Sequence, residues 1–310
     1  MDFIVFIVSM SALIFGADFI IKESEKIALH FKISSFVIGA TLVAFGTSLP
    51  EMAASMMAAY HAKTEMAVAN VLGSVTFNIT LVLGIVFFLS KNLMPKRELF
   101  ALDSAWIVMP VVIFFLMIQD GVIGRVDGVI FLTLMVSYII FLFTSAKEVL
   151  TEEVSEVVQE EKQFAWGSTL MLLIIGFVLT VGGANFAVES GSNLARSFGV
   201  SEWIIGLFLL AFGTSLPELV VSVVAAKKGN AEMSIGNIIG SNVANFSMVL
   251  GGASLIHPLS FNTDASKFDM FIMASASIAL LFILANKLYN KAGAIFLLVI
   301  FALFVQNSFA

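Results

Sequence analysis

The stretch AFGTSLPE occupies Ala44–Glu51 and recurs at Ala211–Glu218, each time inside a long apolar run. A carboxylate near the centre of a bilayer costs at least ~2.5 kcal/mol, so acids in such places generally serve a pathway or a binding site. The duplication extends outward. Glu65-Met66 answers Glu232-Met233, and Asn70, Gly73, Ser74 and Asn78 answer Asn237, Gly240, Ser241 and Asn245. Upstream, Gly16-Ala17-Asp18-Phe19 matches Gly183-Ala184-Asn185-Phe186 in the same register. The chain is two copies of one unit, a pattern that points to a transporter assembled from internal repeats.

Composition agrees. Of 310 residues, 59% are hydrophobic and 12% charged, with mean hydropathy +1.02; soluble domains carry roughly 25% charged residues. The absence of cysteine excludes disulfides, thiolate metal sites and cysteine nucleophiles. A net charge of −6, drawn largely from one acidic segment, offers nothing basic enough for a nucleic-acid partner. No protein partner is implied either. The first apolar run lacks a basic n-region and a small-x-small cleavage site, so it reads as a membrane helix rather than a signal peptide.

A membrane span needs ~20 largely apolar residues. Candidates are 2–21, 36–60, 66–89, 101–118 and 127–146, then 166–188, 203–226, 232–256, 268–286 and 291–308. The expected fold is therefore an all-α membrane protein of about ten transmembrane helices. An odd number of spans per copy gives the two five-helix repeats opposite orientations, 1–146 and 165–310, joined by an acidic linker at 147–164. With the N-terminus outside, the cytoplasmic loops hold Lys22, Lys26, Lys32, Lys91, Lys96, Arg97, Lys147, Lys162, Lys227, Lys228, Lys287 and Lys291. The outer loops hold only Lys63, Arg125, Arg196 and Lys267. That bias places both termini outside and the linker in the cytoplasm. The linker reads TEEVSEVVQEEKQ in its centre; its spacing does not match an EF-hand loop, and it is treated as a solvated connector.

Chemistry concentrates on the second and third helices of each copy. Pro50 cannot donate to the carbonyl of Gly46, nor Pro217 to that of Gly213, so the second and seventh helices should break there. Open carbonyls at membrane depth are tolerated where they line a cavity or coordinate an ion. Glu51 follows the break with Thr47 one turn back and Ser55 one turn on; Glu218, Thr214 and Ser222 repeat the arrangement. On the next helix Asn70, Ser74 and Asn78 stack at i, i+4, i+8, as do Asn237, Ser241 and Asn245. Gly73 and Gly240 would let the broken helices approach closely. A single Ser or Asn here would ordinarily be an interhelical hydrogen bond; it is the duplicated, ionisable Glu51 and Glu218 that demand a function. Asp18 lies in an apolar run too, but its partner is Asn185. The sequons Asn78-Ile79-Thr80 and Asn245-Phe246-Ser247 fall mid-membrane and are not glycosylation sites. Oxygen donors without sulfur, with His30, His61 and His257 at helix ends, suit Ca²⁺, Na⁺ or K⁺ and argue against zinc or copper.

Paired GTSLPE motifs, each followed by GS-x-x-x-N, resemble the α-repeats of the cation/calcium antiporter superfamily, in its sodium/calcium exchanger branch. The resemblance spans essentially the whole chain. Proton-coupled relatives typically carry GN-x-x-E in place of GTSLPE. What the resemblance implies is an alternating-access antiporter, with no enzyme activity and no cofactor beyond the transported Ca²⁺ and Na⁺. Glu51, Glu218, Thr47 and Thr214 would hold Ca²⁺, the threonines through their carbonyls. Ser48, Ser74, Asn78, Ser215, Ser241 and Ala211 would serve the Na⁺ sites, with Ala44 the counterpart of Ala211. Many such exchangers carry Asp where this chain has Asn245, so the site here is symmetric, Asn78 facing Asn245. In the potassium-dependent branch an acid there is associated with K⁺, which this chain lacks. Two ionised glutamates neutralise one Ca²⁺, and three Na⁺ would leave +1, so exchange is expected to be electrogenic. Ca²⁺/H⁺ antiport, a cation channel and, last, an intramembrane hydrolase are the alternatives. A prokaryotic cytoplasmic membrane is the expected location.

Overall fold

The computed structural model describes residues 2–90, 95–153, 165–199 and 213–308, the side chains of 146–153 excepted. Eleven helices occupy the described residues: α1 (Asp2–Phe31), α2 (Ser35–Thr47), α3 (Leu49–Tyr60), α4 (Thr64–Leu89), α5 (Leu99–Asp120), α6 (Arg125–Glu153), α7 (Trp166–Ser197), α8 (Leu216–Lys227), α9 (Ala231–Ile256), α10 (Lys267–Ala285) and α11 (Lys291–Ser308). The sole sheet among them is a two-residue antiparallel pair, β1 (Val122–Ile123) with β2 (Leu259–Ser260). Seven of these helices are long and apolar enough to cross a membrane, and α2 with α3 would form an eighth, bent span. α11 is apolar but shorter. Of the expected 203–226 helix only the part from Gly213 on lies within the described residues.

Polarity is distributed inside out. Phe15, Leu116 and Val178 are among the large apolar side chains exposed on the outside, while Glu51, Asn78, Glu218, Asn237, Ser241 and Asn245 are all 0% exposed. A water-soluble protein buries the first kind and solvates the second. The reverse arrangement is stable only with lipid outside and a polar lining within.

Two helices outrun their apolar segments. α1 and α7 continue past the expected ends at 21 and 188. Hydropathy marks where lipid ends, whereas a helix ends at a breaker. Asp18–Lys22 at 2.8 Å ties the expected segment to the extra turns of α1, and Glu23–Lys26 at 2.6 Å lies within them, i,i+4 and i,i+3 pairs that suit a helix. The chain leaves at Lys32, with φ of 53°. α7 runs on until Gly199, with φ of 78°.

The core that positions the site is the contact of α2 with α9, made backbone to backbone. A Cβ at Gly236 would stand 2.5 Å from the carbonyl oxygen of Phe36, and one at Gly240 would overlap Ala40, its Cα at 2.6 Å and its carbonyl oxygen closer still. Small residues at such crossings let polar backbones approach where lipid supplies no hydrophobic drive. Gly240 thus does what its spacing suggests. At Gly73 nothing among the described residues lies within 4 Å of a Cβ, and the residues that answer 35–45 in the second copy, 202–212, lie outside them.

The connecting segments are knotted together in two groups. At one end, Lys96 and Arg97 backbone N–H groups donate to Glu232 (3.1 and 3.2 Å), Lys287 pairs with Glu98 (2.8 Å), Asn230 donates to Glu25 (2.9 Å), and Lys228 pairs with Asp18. At the other, β1 pairs with β2 and the Thr64 hydroxyl donates to the Ser260 carbonyl at 2.6 Å.

Candidate ion site between the broken helices

The site is built at two matching discontinuities. Pro50 and Pro217 each stand in the first turn of the helix after the break, where a missing N–H costs nothing. α2 and α3 meet at a 46° bend, and the hinge residue Ser48 has φ −84°, ψ 4°; Ser215, entering α8, has φ −88°, ψ 4°. The two serines therefore share one backbone conformation. Ser48 N–H still closes on the Ala44 carbonyl at 3.0 Å, and the ladder resumes with Met52 N–H on the Ser48 carbonyl at 3.1 Å.

Across these breaks the halves are cross-linked. Ser48 Oγ donates to Glu218 Oε1 at 2.9 Å, and Ser215 Oγ donates to Glu51 Oε1 at 3.2 Å. Each serine thus serves the other copy's glutamate. Ser241 Oγ reaches the same Glu218 oxygen at 3.5 Å, the outer limit of a hydrogen bond. Thr47 Oγ1 is taken up by the carbonyls of Val43 and Ala44 (3.1 and 3.3 Å) and by Asn237 Oδ1 (3.3 Å); Thr214 Oγ1 points to Asn70 Oδ1 at 3.5 Å. A hydroxyl that gives its proton to a protein acceptor keeps its lone pairs, so each threonine can offer an ion its hydroxyl oxygen as well as its carbonyl.

What remains unfilled is oxygen-rich. Of the eleven buried side-chain atoms without a hydrogen-bond partner among the described residues, six belong to the repeated motifs: Glu51 Oε2, Glu218 Oε2, Ser74 Oγ, Asn78 Oδ1, and both Oδ1 and Nδ2 of Asn245. Buried polar atoms are normally paired, so six such atoms on the motif residues of α3, α4, α8 and α9 mark a place for something else. Of the twelve candidates, Glu51, Glu218, Ser74, Ser241, Asn78 and Asn245 lie on these elements, Thr47 ends α2, and Ser48, Thr214 and Ser215 lie in the turns that lead into α3 and α8. Ala44 is fully buried; its carbonyl accepts from Ser48 N–H at 3.0 Å and is one of three alternative acceptors for the single Thr47 hydroxyl proton. Ala211 lies outside the described residues.

Donors of this kind, two carboxylates among neutral oxygens, suit a hard cation. A family model described as sodium/calcium exchanger protein matches residues 1–144 and 168–310. The chain belongs to the sodium/calcium exchanger family. Membership makes it an integral membrane protein of cation and calcium antiport. Among similar proteins, an uncharacterized membrane protein of Methanocaldococcus jannaschii is 34% identical over 293 residues, covering 94% of this chain and 93% of its own. The sodium/calcium exchanger MaX1 of Methanosarcina acetivorans is 28% identical over 322 residues, covering 92% and 91%. A solved structure of the sodium-calcium exchanger NCX_Mj, soaked with Na⁺ and Sr²⁺, superposes with a TM-score of 0.83 at 30% identity over 99% of each chain.

Three features of this exchanger were not legible beforehand. Asn70 and Asn237 are struts rather than free donors: Asn70 Nδ2 bonds Ser55 Oγ (2.9 Å) and the Glu51 carbonyl (3.3 Å), and Asn237 Nδ2 bonds Ser222 Oγ (3.0 Å). Their duplication was visible; their direction was not. Asn78 and Asn245 each open a π-helical turn, Asn78–Val82 and Asn245–Leu250, a distortion that collects at functional sites and that hydropathy does not record. Arg97, counted above as a loop charge, is 4% exposed, paired with the fully buried Asp103 at 2.7 and 3.0 Å and stacked 4.5 Å over Phe36. Asp18 is committed to Lys22 and Lys228 at one end of the molecule.

Proposed function

We propose that this exchanger-family protein moves Ca²⁺ against Na⁺ by alternating access, electrogenically and without catalytic activity. The observation that carries the proposal is the pair Glu51 and Glu218. Both are fully buried, each has one oxygen held by a serine of the other copy and one unpaired, and among the described residues neither forms an ion pair with the protein. Two such charges in low dielectric require compensation from outside the chain. One Ca²⁺ supplies it fully. Glu51, Glu218 and the Thr47 and Thr214 carbonyls form the Ca²⁺ position, and Ser48, Ser74, Asn78, Ser215, Ser241 and Ala211 form the Na⁺ positions, as the family resemblance implies.

The same proposal includes ten spans in two inverted repeats. Its support is the sidedness of equivalent loops: the loop after α3 meets β2 at one end, while its copy after α8 meets α1 at the other. The basic end, with Lys96, Lys228 and Lys287, is assigned to the cytoplasm. Ca²⁺/H⁺ antiport is the second reading, because two protons would neutralise the same carboxylates. ⁴⁵Ca²⁺ uptake into proteoliposomes under imposed Na⁺, K⁺ or H⁺ gradients separates them. Uptake driven by an outward Na⁺ gradient alone is expected; uptake that follows H⁺ and ignores Na⁺ would overturn the proposal.

A further inference from the structure

Asn242 stands one turn before Asn245 on α9 and is 9% exposed. The position that answers it in the first copy is Val75, so this amide is one place where the duplicated site is not symmetric. Its Oδ1 accepts a hydrogen bond from Asn78 Nδ2 at 3.2 Å. That bond leaves Asn78 Oδ1 buried and unpaired, whereas Asn245 has neither end of its amide partnered among the described residues.

A carboxamide presents an acceptor at one end and two donors at the other. Facing a cation, only the oxygen is useful, and the NH₂ group must then be parked on an acceptor or be left buried and unsatisfied. Asn242 is such an acceptor for Asn78. An aliphatic Val75 cannot do the same for Asn245. The remaining asparagines do not compete, since Asn70 and Asn237 already donate to Ser55 and Ser222. We propose that Asn242 is a positioning residue for ion exchange: by accepting from Nδ2 it holds the Asn78 oxygen toward the transported Na⁺, making Asn78 a fixed ligand while Asn245 stays free to turn.

This inference rests on the exchange reading above, and the test separates the two. Na⁺-dependent ⁴⁵Ca²⁺ exchange is measured in proteoliposomes for wild type, Asn242→Val, Asn78→Ala and the double variant, titrating Na⁺ and Ca²⁺ separately. Asn242→Val is expected to raise the Na⁺ concentration for half-maximal exchange about tenfold and to change the Ca²⁺ dependence far less. In the Asn78→Ala background the same substitution should add nothing further. Equal weakening toward both ions, or additive losses in the double variant, would show a mere packing role and overturn the inference. If Asn242→Val does not fold, Asn242→Ser replaces it in the same cycle; its hydroxyl can accept, so a smaller Na⁺ shift is expected, again absent without Asn78. Coupled exchange in wild type with no effect at position 242 overturns this inference alone. Wild-type flux indifferent to Na⁺ overturns it together with the exchange reading.

Discussion

Glu51→Gln and Glu218→Gln are the perturbations that bear most directly on the site. Glutamine keeps the size of the side chain and an oxygen able to accept from Ser215 or Ser48, so the crosswise hydrogen bonds at 3.2 and 2.9 Å can survive. What is removed is one unit of charge from a place that is 0% exposed. Uncompensated loss of one partner from a buried ionic contact costs about 3–5 kcal/mol, and at ~1.4 kcal/mol per factor of ten that is roughly two to three and a half decades of Ca²⁺ affinity. Without Ca²⁺ the sign reverses, because two buried like charges repel and the variant carries only one. Each variant should therefore unfold at an equal or higher temperature than wild type in chelator, yet gain no stabilisation when Ca²⁺ is added, since a ligand that no longer binds cannot shift the equilibrium. The assays are ⁴⁵Ca²⁺ flux at matched levels of folded protein and thermal unfolding in detergent with and without Ca²⁺. Near-normal flux in either variant would refute the reasoning, as no other duplicated intramembrane acid is present to take over.

If three Na⁺ balance one Ca²⁺, uptake driven by a Na⁺ gradient should change with a membrane potential clamped by valinomycin, and indifference to voltage would point to a neutral stoichiometry. Because the chain has no cysteine, single cysteines at Lys228 and Asp264 report sidedness cleanly; an impermeant reagent outside intact cells should label the second and not the first. Gly240→Ala should lower stability by about 1–3 kcal/mol through overpacking against Ala40, whereas Gly167→Ala, with nothing among the described residues within 4 Å, should be neutral in the same unfolding measurement. Asp103→Asn should destabilise by about 3–5 kcal/mol by stranding the buried Arg97, and Arg97→Met with Asp103→Leu should recover most of it.

How far the chain could be read without coordinates follows from what each signal depends on. The break after Thr47 was legible because proline's missing N–H is a covalent fact, true in any fold. The lengths of α1 and α7 were not, because hydropathy falls at Lys22 and Glu189 while the helices continue to the next breaker. Arg97 read as a loop charge from its neighbours in sequence; that it is buried against Asp103 and Phe36 depends on where the tertiary fold brings Phe36, 61 positions away, over its guanidinium. The serines of GTSLPE were visible as oxygen donors, but each donates to the other copy's glutamate, a pairing across 164 and 170 positions that no local pattern encodes.

Sequence alone determined that this is a duplicated membrane protein with two intramembrane glutamates, because repetition, hydropathy and proline act locally and survive any arrangement of the helices. Tertiary structure decided which oxygens are spent and which are open. Thr47, Asn70 and Asn237 turn their side chains to protein partners, while Glu51 Oε2, Glu218 Oε2 and Asn78 Oδ1 stay unpaired. Asn242, opposite a valine in the first copy, acquires its meaning only where α9 meets α4. A hydrogen bond is directional and short-ranged, so its partner is chosen by the packing of distant segments and not by the residues beside it.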